Sequence, residues 1–241
     1  MKLLKILPLL IMFQPAFSSA QQSVQTPENN QVDRSLIKNE SYSMVWYMIK
    51  GTEKIEIGTV DTGILKSRDR ITVNSTVKMK NMPDWKDETI AEFSDFSPVK
   101  HTSFNTQRDM LLDFGKKNTV TGYYLDKAKN NKTEISEATD GKFFDSNLYT
   151  QLIRWLPLKE GYTTELAIFD YNPDLGKGIM KAYVTGTKKG TYKNKAVWMV
   201  SVTDDISQKK AQSTYYIDVK TREVLKQEID MGPRKMEMER I

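Results

Sequence analysis

Cysteine is absent from the 241 residues, and histidine occurs once, as His101. The absence of cysteine excludes a disulfide framework, a cysteine-ligated zinc or iron–sulfur centre and a cysteine nucleophile. A single histidine excludes every site that is built from two histidines. The chain also lacks a Gly-rich phosphate loop, a G-x-S-x-G motif and an oxygen-rich calcium loop. We therefore expect no cofactor, no metal site and no catalytic residues, and we interpret His101 as an ordinary strand residue.

Neither charge sign dominates the composition. The chain has 36 basic and 31 acidic residues, a formal net charge of +5, and these residues alternate rather than form one basic stripe. Nucleic acid is therefore not expected as a partner. Hydrophobic residues make up 39% of the chain and aromatic residues 10%, which is enough apolar surface for a sizeable core.

Long apolar runs are missing everywhere except at the N-terminus. Residues 1–20 place Lys2 and Lys5 before a short apolar stretch, and Ser18 and Ala20 are the small residues of a cleavage site. This pattern is typical of a secretory signal peptide. We expect export to the periplasm or beyond the cell, with no transmembrane segment after cleavage. Because no cysteine follows the signal, the mature chain should not be lipid-anchored.

The rest of the chain divides into a leader and one domain. Residues 21–38 are polar and lack apolar periodicity, which predicts a disordered leader. Residues 39–241 contain about a dozen short β-rich runs with turn signals between them, which predicts a single antiparallel β domain. The tail, residues 232–241, alternates methionines with charges and predicts a ragged edge strand.

One segment departs from the strand rhythm. Residues 145–156 carry apolar side chains at i, i+4, i+7 and i+8, which predicts a helix with one apolar stripe. Asp145 or Ser146 can cap its N-terminus, and Pro157 ends it. The stripe consists of Leu148, Leu152, Trp155 and Leu156.

Several strands are apolar on both faces, which is unusual in an antiparallel sheet. Residues 44–49, 196–200 and 215–217 show this pattern. Either the helix and a curled sheet cover both faces, or one face lines a cavity for an apolar ligand. Methionine and tryptophan suit such a cavity, although they occur more often in cores. The candidate lining residues are Trp46, Met48, Leu148, Leu152, Trp155 and Trp198.

Residues 143–162, FFDSNLYTQLIRWLPLKEGY, and residues 214–230, TYYIDVKTREVLKQEID, together carry a family resemblance. They are similar to secreted bacterial domains of unknown function related to the LolA/LppX open β-barrels. In that family a short helix with an L-R-x-L-P-L ending plugs a strongly bent antiparallel sheet. LolA itself carries lipoprotein acyl chains. The resemblance implies lipid binding and supplies no catalytic residues.

These patterns lead to one fold and three functional alternatives. The expected fold is mainly β, a strongly bent antiparallel sheet (an open or half β-barrel) with one short helix packed on the concave face. The expected function is a periplasmic, non-enzymatic binding protein for a lipid or other apolar ligand, in envelope biogenesis or lipid handling. The first alternative is an envelope scaffold or interaction protein with a filled core and no ligand. The second is a hydrolase, which the lack of nucleophile–base sets disfavours.

Overall fold

The computed structural model describes residues 24–174 and 176–241, so the predicted signal peptide lies outside the described residues. These residues form one sheet of fifteen strands and a short helix, α1 (Ser146–Leu152). The strands are β1 (Glu40–Lys50), β2 (Glu53–Lys66), β3 (Arg70–Met79), β4 (Trp85–Glu92), β5 (Pro98–Phe104), β6 (Arg108–Lys116), β7 (Thr119–Asp126), β8 (Asn131–Ala138), β9 (Phe144–Asp145), β10 (Thr164–Asn172), β11 (Gly176–Tyr192), β12 (Lys195–Asp204), β13 (Gln212–Asp218), β14 (Val224–Asp230) and β15 (Lys235–Arg240).

Neighbouring strands follow the chain order, with one exception in the middle of the sheet. The order is β8-β7-β6-β5-β4-β3-β2-β1-β15-β14-β13-β12-β11-β10-β9, and all pairs except β9–β10 are antiparallel. The expectation that the tail forms an edge strand is wrong, because β15 lies between β1 and β14. An alternating strand presents hydrogen-bonding groups on both sides, so alternation by itself does not separate a central strand from an edge strand.

The sheet is strongly bent, and β10 shows how far it curls. Leu166 and Ile168 of β10 belong to the main core, whereas Ala167, Phe169 and Tyr171 belong to a second apolar cluster. The second cluster includes residues of β6, β7 and β8, so these strands cover the opposite face of β10. The edge strands β8 and β9 are not paired with each other among the described strands, so the sheet is open. The fold expected from the sequence is confirmed.

Glycines allow close backbone approach at two places within strands. A side chain on Gly122 of β7 would place its Cβ 1.9 Å from the carbonyl oxygen of Leu111, and the φ of Gly122 is +149°. A Cβ on Gly58 of β2 would lie 2.2 Å from the carbonyl oxygen of Lys78, next to a register shift opposite Trp46 and Tyr47. Only glycine permits such close backbone approach. The bulge beside Gly58 increases the local twist of the sheet.

The helix forms where the sequence predicts it. Asp145 caps α1, since its Oδ1 accepts a hydrogen bond from the backbone N–H of Asn147 at 3.3 Å. A 3₁₀ turn, Ile153–Trp155, continues the helix, and the chain is extended from Leu156 onward, just before Pro157. No helix within residues 24–174 and 176–241 has the length and apolarity needed to cross a bilayer.

A buried ion pair fixes the end of the helix to the centre of the sheet. Arg154 is buried, and its Nη2 donates to the carboxylate of Glu40 at the start of β1. The other oxygen of Glu40 lies 3.6 Å from Nη2 of Arg240 in β15. The arginine of the L-I-R-W-L-P-L ending therefore connects the helix with the two central strands, and its buried charge is paired as burial requires.

Residues 24–38 pack against the sheet, so the expectation of a disordered leader does not hold for this described part. The buried Gln25 exchanges backbone hydrogen bonds with Glu165 and Ala167, and its side chain donates to Thr164 Oγ1 at 2.9 Å. Ile37 is fully buried in the main core. The polar composition of residues 24–38 does not predict this ordered packing, because backbone hydrogen bonds and one apolar anchor are enough to hold a polar segment on the sheet.

Candidate functional site

The concave face of the sheet has a covered lower half. We call the end of the sheet where β1 starts at Glu40 the lower end, and the end where β1 finishes at Lys50 the upper end. In the lower half, Tyr42 and Met44 of β1 are buried in the same cluster as the helix stripe. Ile64 of β2 and Ile71 of β3 complete this region and are fully buried. The helix therefore fills the lower half of the concavity.

The same face continues into an upper half that the helix does not cover. On β1, Trp46 is half-buried and Met48 is 44% exposed. Directly opposite residues of an antiparallel pair lie on one face of the sheet. Met48 faces Ile55, which is 42% exposed, and Met236, while Trp46 faces Met238. We call the row of apolar side chains at this end the upper strip: Trp46, Met48, Ile55, Met79, Met236 and Met238.

The upper strip opens into a groove at the end of the sheet. Met79 of β3 belongs to both the upper strip and the groove. It pairs with Gly58 of β2, which in turn pairs with Trp46 of β1, so Met79 and Trp46 lie on the same face. The groove has a volume of about 530 Å³, within the range of small-molecule sites. Its walls are mainly apolar and include one cation. They are lined by Val77, Met79, Met82, Trp85, Arg108 and Tyr124, with Asp174 on the rim, and we call this space the Arg108 groove.

A smaller cavity of about 260 Å³ lies where the helix meets the upper half. The helix contributes Thr150 and Gln151 to its wall, and Met44 and Met238 lie on the sheet side. Gln151 Nε2 donates to the hydroxyl of Tyr42 at 3.2 Å. The helix thus directs its apolar stripe into the core and its polar side chains toward this open space.

Behind the Arg108 groove, polar side chains join β4 and β5 to the start of the helix. The fully buried carboxylate of Asp145 accepts a hydrogen bond from Thr89 Oγ1 at 2.6 Å and lies 3.1 Å from His101 Nδ1. Ser146 Oγ donates to Asp170 of β10 at 2.7 Å. We call these five residues the polar seam. It holds together two parts of the sheet that are not neighbours in strand order.

Burial and charge act in opposite directions on the polar seam. Burial lowers the pKa of His101, but the surrounding carboxylates, with Asp145 first among them, together outweigh this, so the pKa of His101 is raised above 6.5. Asp87 and Asp170 add to the increase. Burial raises the pKa of Asp170, although the hydrogen bond from Ser146 opposes the shift. The low-dielectric surroundings strengthen the His101–Asp145 interaction.

The chemistry available to the polar seam is limited. His101 Nε2 is buried and has no hydrogen-bond partner among the residues that the structure describes, so no serine or threonine hydroxyl is bonded to it. A Ser–His nucleophile needs that bond. In the same part of the chain, no group of three or more histidine, aspartate or glutamate side chains is arranged to hold a metal ion.

The structure separates the six candidate lining residues into two groups. Leu148, Leu152 and Trp155 are fully buried in the main core, and Trp198 of β12 is buried there as well. Trp46 and Met48 lie together on the upper strip. The last two are therefore the candidates that an incoming ligand can reach.

Sequence reasoning did not identify Arg108 or the pairing of His101 with Asp145. Thr89 and His101 are opposite each other in the β4–β5 pair, but Asp145 lies 44 residues beyond His101 and reaches them only through the curl of the sheet. The sequence offers one weak signal, a lone histidine in a β-rich run, which is equally typical of an ordinary strand. Arg108 follows a turn and resembles any solvated charge.

Comparison with known protein families gives a match to a family whose function is not known. The model of the family described as "Protein of unknown function (DUF3108)" matches residues 41–239, nearly all of the bent sheet. Neither curated proteins nor solved structures give a match to the chain.

Proposed function

We propose that this chain, which belongs to the DUF3108 family, is an exported, non-enzymatic binding protein whose ligand carries an apolar chain. The ligand lies on the upper strip and extends into the Arg108 groove. The periplasm is the proposed location, on the basis of the signal-peptide pattern in residues 1–20. The proposed role is lipid handling in the cell envelope.

The observation that carries the proposal is the exposure of the upper strip. Met48 and Ile55 are each at least 42% exposed, although their strands are continuous with a well-packed core. Met82, in the turn after β3 at the Arg108 groove, is 50% exposed. Clustered exposed apolar side chains usually mark an interaction site. The adjoining groove of about 530 Å³ has the volume of a small-molecule site. Methionine side chains adapt their shape to flexible apolar ligands.

The resemblance to the LolA/LppX-like carriers supports the same proposal. The resemblance rests on the helix ending Leu152-Ile-Arg154-Trp-Leu156-Pro-Leu158 and on the closing hairpin around Asp218. In the structure, the hairpin is part of the bent, open sheet, and the helix packs in the concavity of that sheet. We propose that this chain shares the ability of that superfamily to accommodate an alkyl chain, at the upper strip rather than beneath the helix.

Titration with a bromine-labelled dodecanol, followed by tryptophan fluorescence, tests the proposal. Bromine quenches only nearby tryptophans, and Trp46 and Trp85 lie at the proposed site. We expect saturable quenching in the wild-type protein. Met48→Glu places a carboxylate under the alkyl chain and should weaken binding by about tenfold or more.

Leu65→Glu is the matched control. Leu65 is also an exposed apolar strand residue, at 57% exposure, but its neighbour Ile64 points into the core, so Leu65 lies on the opposite face of the sheet. This variant should bind like the wild type. Absence of saturable quenching in the wild-type protein, or equal weakening in both variants, would contradict the proposal and favour a scaffold whose upper strip is covered by a protein partner.

A further inference from the structure

At the wall of the groove, Arg108 is a cation with no carboxylate at ion-pair distance among the described residues; Asp170 interacts with it only at longer range. The Arg108 side chain forms no ion pair with any residue in the described ranges, and its buried Nε has no hydrogen-bond partner there. Nη2 makes one long hydrogen bond, 3.4 Å, to Ser103 Oγ. The guanidinium carbon lies 6.0 Å from the centre of the Trp85 ring. Apart from the buried Nε–H and the one bond to Ser103, the donors of the guanidinium are therefore available to a ligand.

The acids behind the groove are occupied by other donors. Asp87 accepts a hydrogen bond from Trp85 Nε1 at 2.9 Å. Asp170 accepts one from Ser146, and Asp145 is shared by Thr89, His101 and the first turn of the helix. On the rim, Asp174 is exposed and interacts electrostatically with Lys129. None of these carboxylates therefore neutralises Arg108 at contact distance.

We propose that the ligand is an anionic amphiphile, with its carboxylate or phosphate on Arg108 and its alkyl chain along the upper strip. This inference rests on the proposed function and adds the chemical class of the head group. A guanidinium binds both anions through a planar pair of hydrogen bonds, and partial burial strengthens the interaction. Val77, Met79 and Trp85 provide apolar contact for the carbons next to the head group.

Calorimetric titration with three ligands of equal chain length tests the head group. Laurate carries a carboxylate, dodecyl phosphate carries a phosphate, and dodecanol carries no charge. In Arg108→Gln we expect affinity for laurate and dodecyl phosphate to fall by about tenfold or more, while affinity for dodecanol stays unchanged. Arg108→Lys keeps the charge without the planar fork and should give a smaller loss.

Arg68→Gln is the matched control, because it removes one positive charge from an exposed turn at the lower end of the sheet. It should leave all three affinities unchanged. Stronger binding of laurate would indicate a fatty-acid-like head group, and stronger binding of dodecyl phosphate a phospholipid-like one; both outcomes support the inference. Thermal unfolding verifies that each variant is folded.

Two results separate the inference from the proposed function. If all three ligands bind the wild-type protein equally and Arg108→Gln changes none of them, the inference is wrong and the apolar-ligand function stands. If none of the three binds the wild-type protein, the proposed function fails and the inference fails with it.

Discussion

The two halves of the concave face use the same strands for different purposes. In the lower half, Tyr42 and Met44 of β1 are buried beneath the helix, together with Leu152. In the upper half, Trp46 and Met48 continue the same face of the same strand but are half-buried and 44% exposed. The boundary lies where the helix ends its coverage, not where the strand composition changes.

This difference shows how one continuous apolar pattern can form both a packed core and an exposed apolar surface. A strand that is apolar over its whole length folds if one part is covered by the chain itself. The uncovered part of the strand then presents a preformed apolar surface to water. The free-energy cost of exposing that surface is partly offset by the packing of the covered half. Substitutions in the lower half should therefore destabilise the fold more than substitutions in the upper half.

The largest effect is expected at the polar seam, which keeps the lower half closed. Asp145→Ala removes the acceptor for Thr89 and His101 and the cap of α1. We expect a loss of about 3–5 kcal/mol in the free energy of unfolding, measured by urea denaturation. Asp145→Asn keeps a capping oxygen, so its free energy of unfolding should fall by less than that of Asp145→Ala. Equal stability of the alanine variant and the wild type would show that the seam does not hold the sheet.

A pair of truncations compares the two halves directly. Leu152→Ala leaves a cavity in the covered half and should cost about 2–5 kcal/mol. Met48→Ala, in the uncovered half, should change stability by less than about 0.5 kcal/mol, because the side chain is already exposed to water. Denaturant titration measures both. Similar losses in the two variants would mean that the halves do not differ in packing.

A smaller effect is expected from pH. The pKa of His101 is raised in the folded protein, because the nearby carboxylates, mainly Asp145, together outweigh the opposing effect of burial. A raised pKa contributes stability that is fully present below about pH 6.5 and is lost as the pH rises through the folded-state value. The wild-type protein should therefore lose this stability above pH 6.5, whereas His101→Gln should not. Parallel pH profiles of the two proteins would contradict the pairing.

The strands and the helix follow from local sequence, and for that reason they could be predicted. Residues 70–79 alternate apolar and polar side chains and form β3 with those bounds. The helix stripe, its cap Asp145 and its stop before Pro157 all depend on residues within one segment. Fold class, mainly β with one helix on the concave face, then follows from the order of elements.

The candidate site could be predicted only in part, because it depends on register and curvature. Trp46 and Met48 were identified from their own strand, but which face they occupy is set by pairing with β2 and β15. Leu148, Leu152 and Trp155 show the helical stripe expected of a core, and they lie in one. Arg108 and the contact between His101 and Asp145 arise from the curl of the sheet, which no local pattern specifies.

The position of β15 constrains the order in which the sheet can assemble. β1 precedes the other fourteen described strands in the chain, yet one of its two neighbours is β15, the last of them. Until Lys235–Arg240 is made, two strips of sheet, β8 to β1 and β14 to β9, each keep an unpaired central border. Such borders invite pairing with other chains. Because long-range pairing is slow, the chain benefits from remaining unfolded, or bound by a chaperone, until β15 has been made.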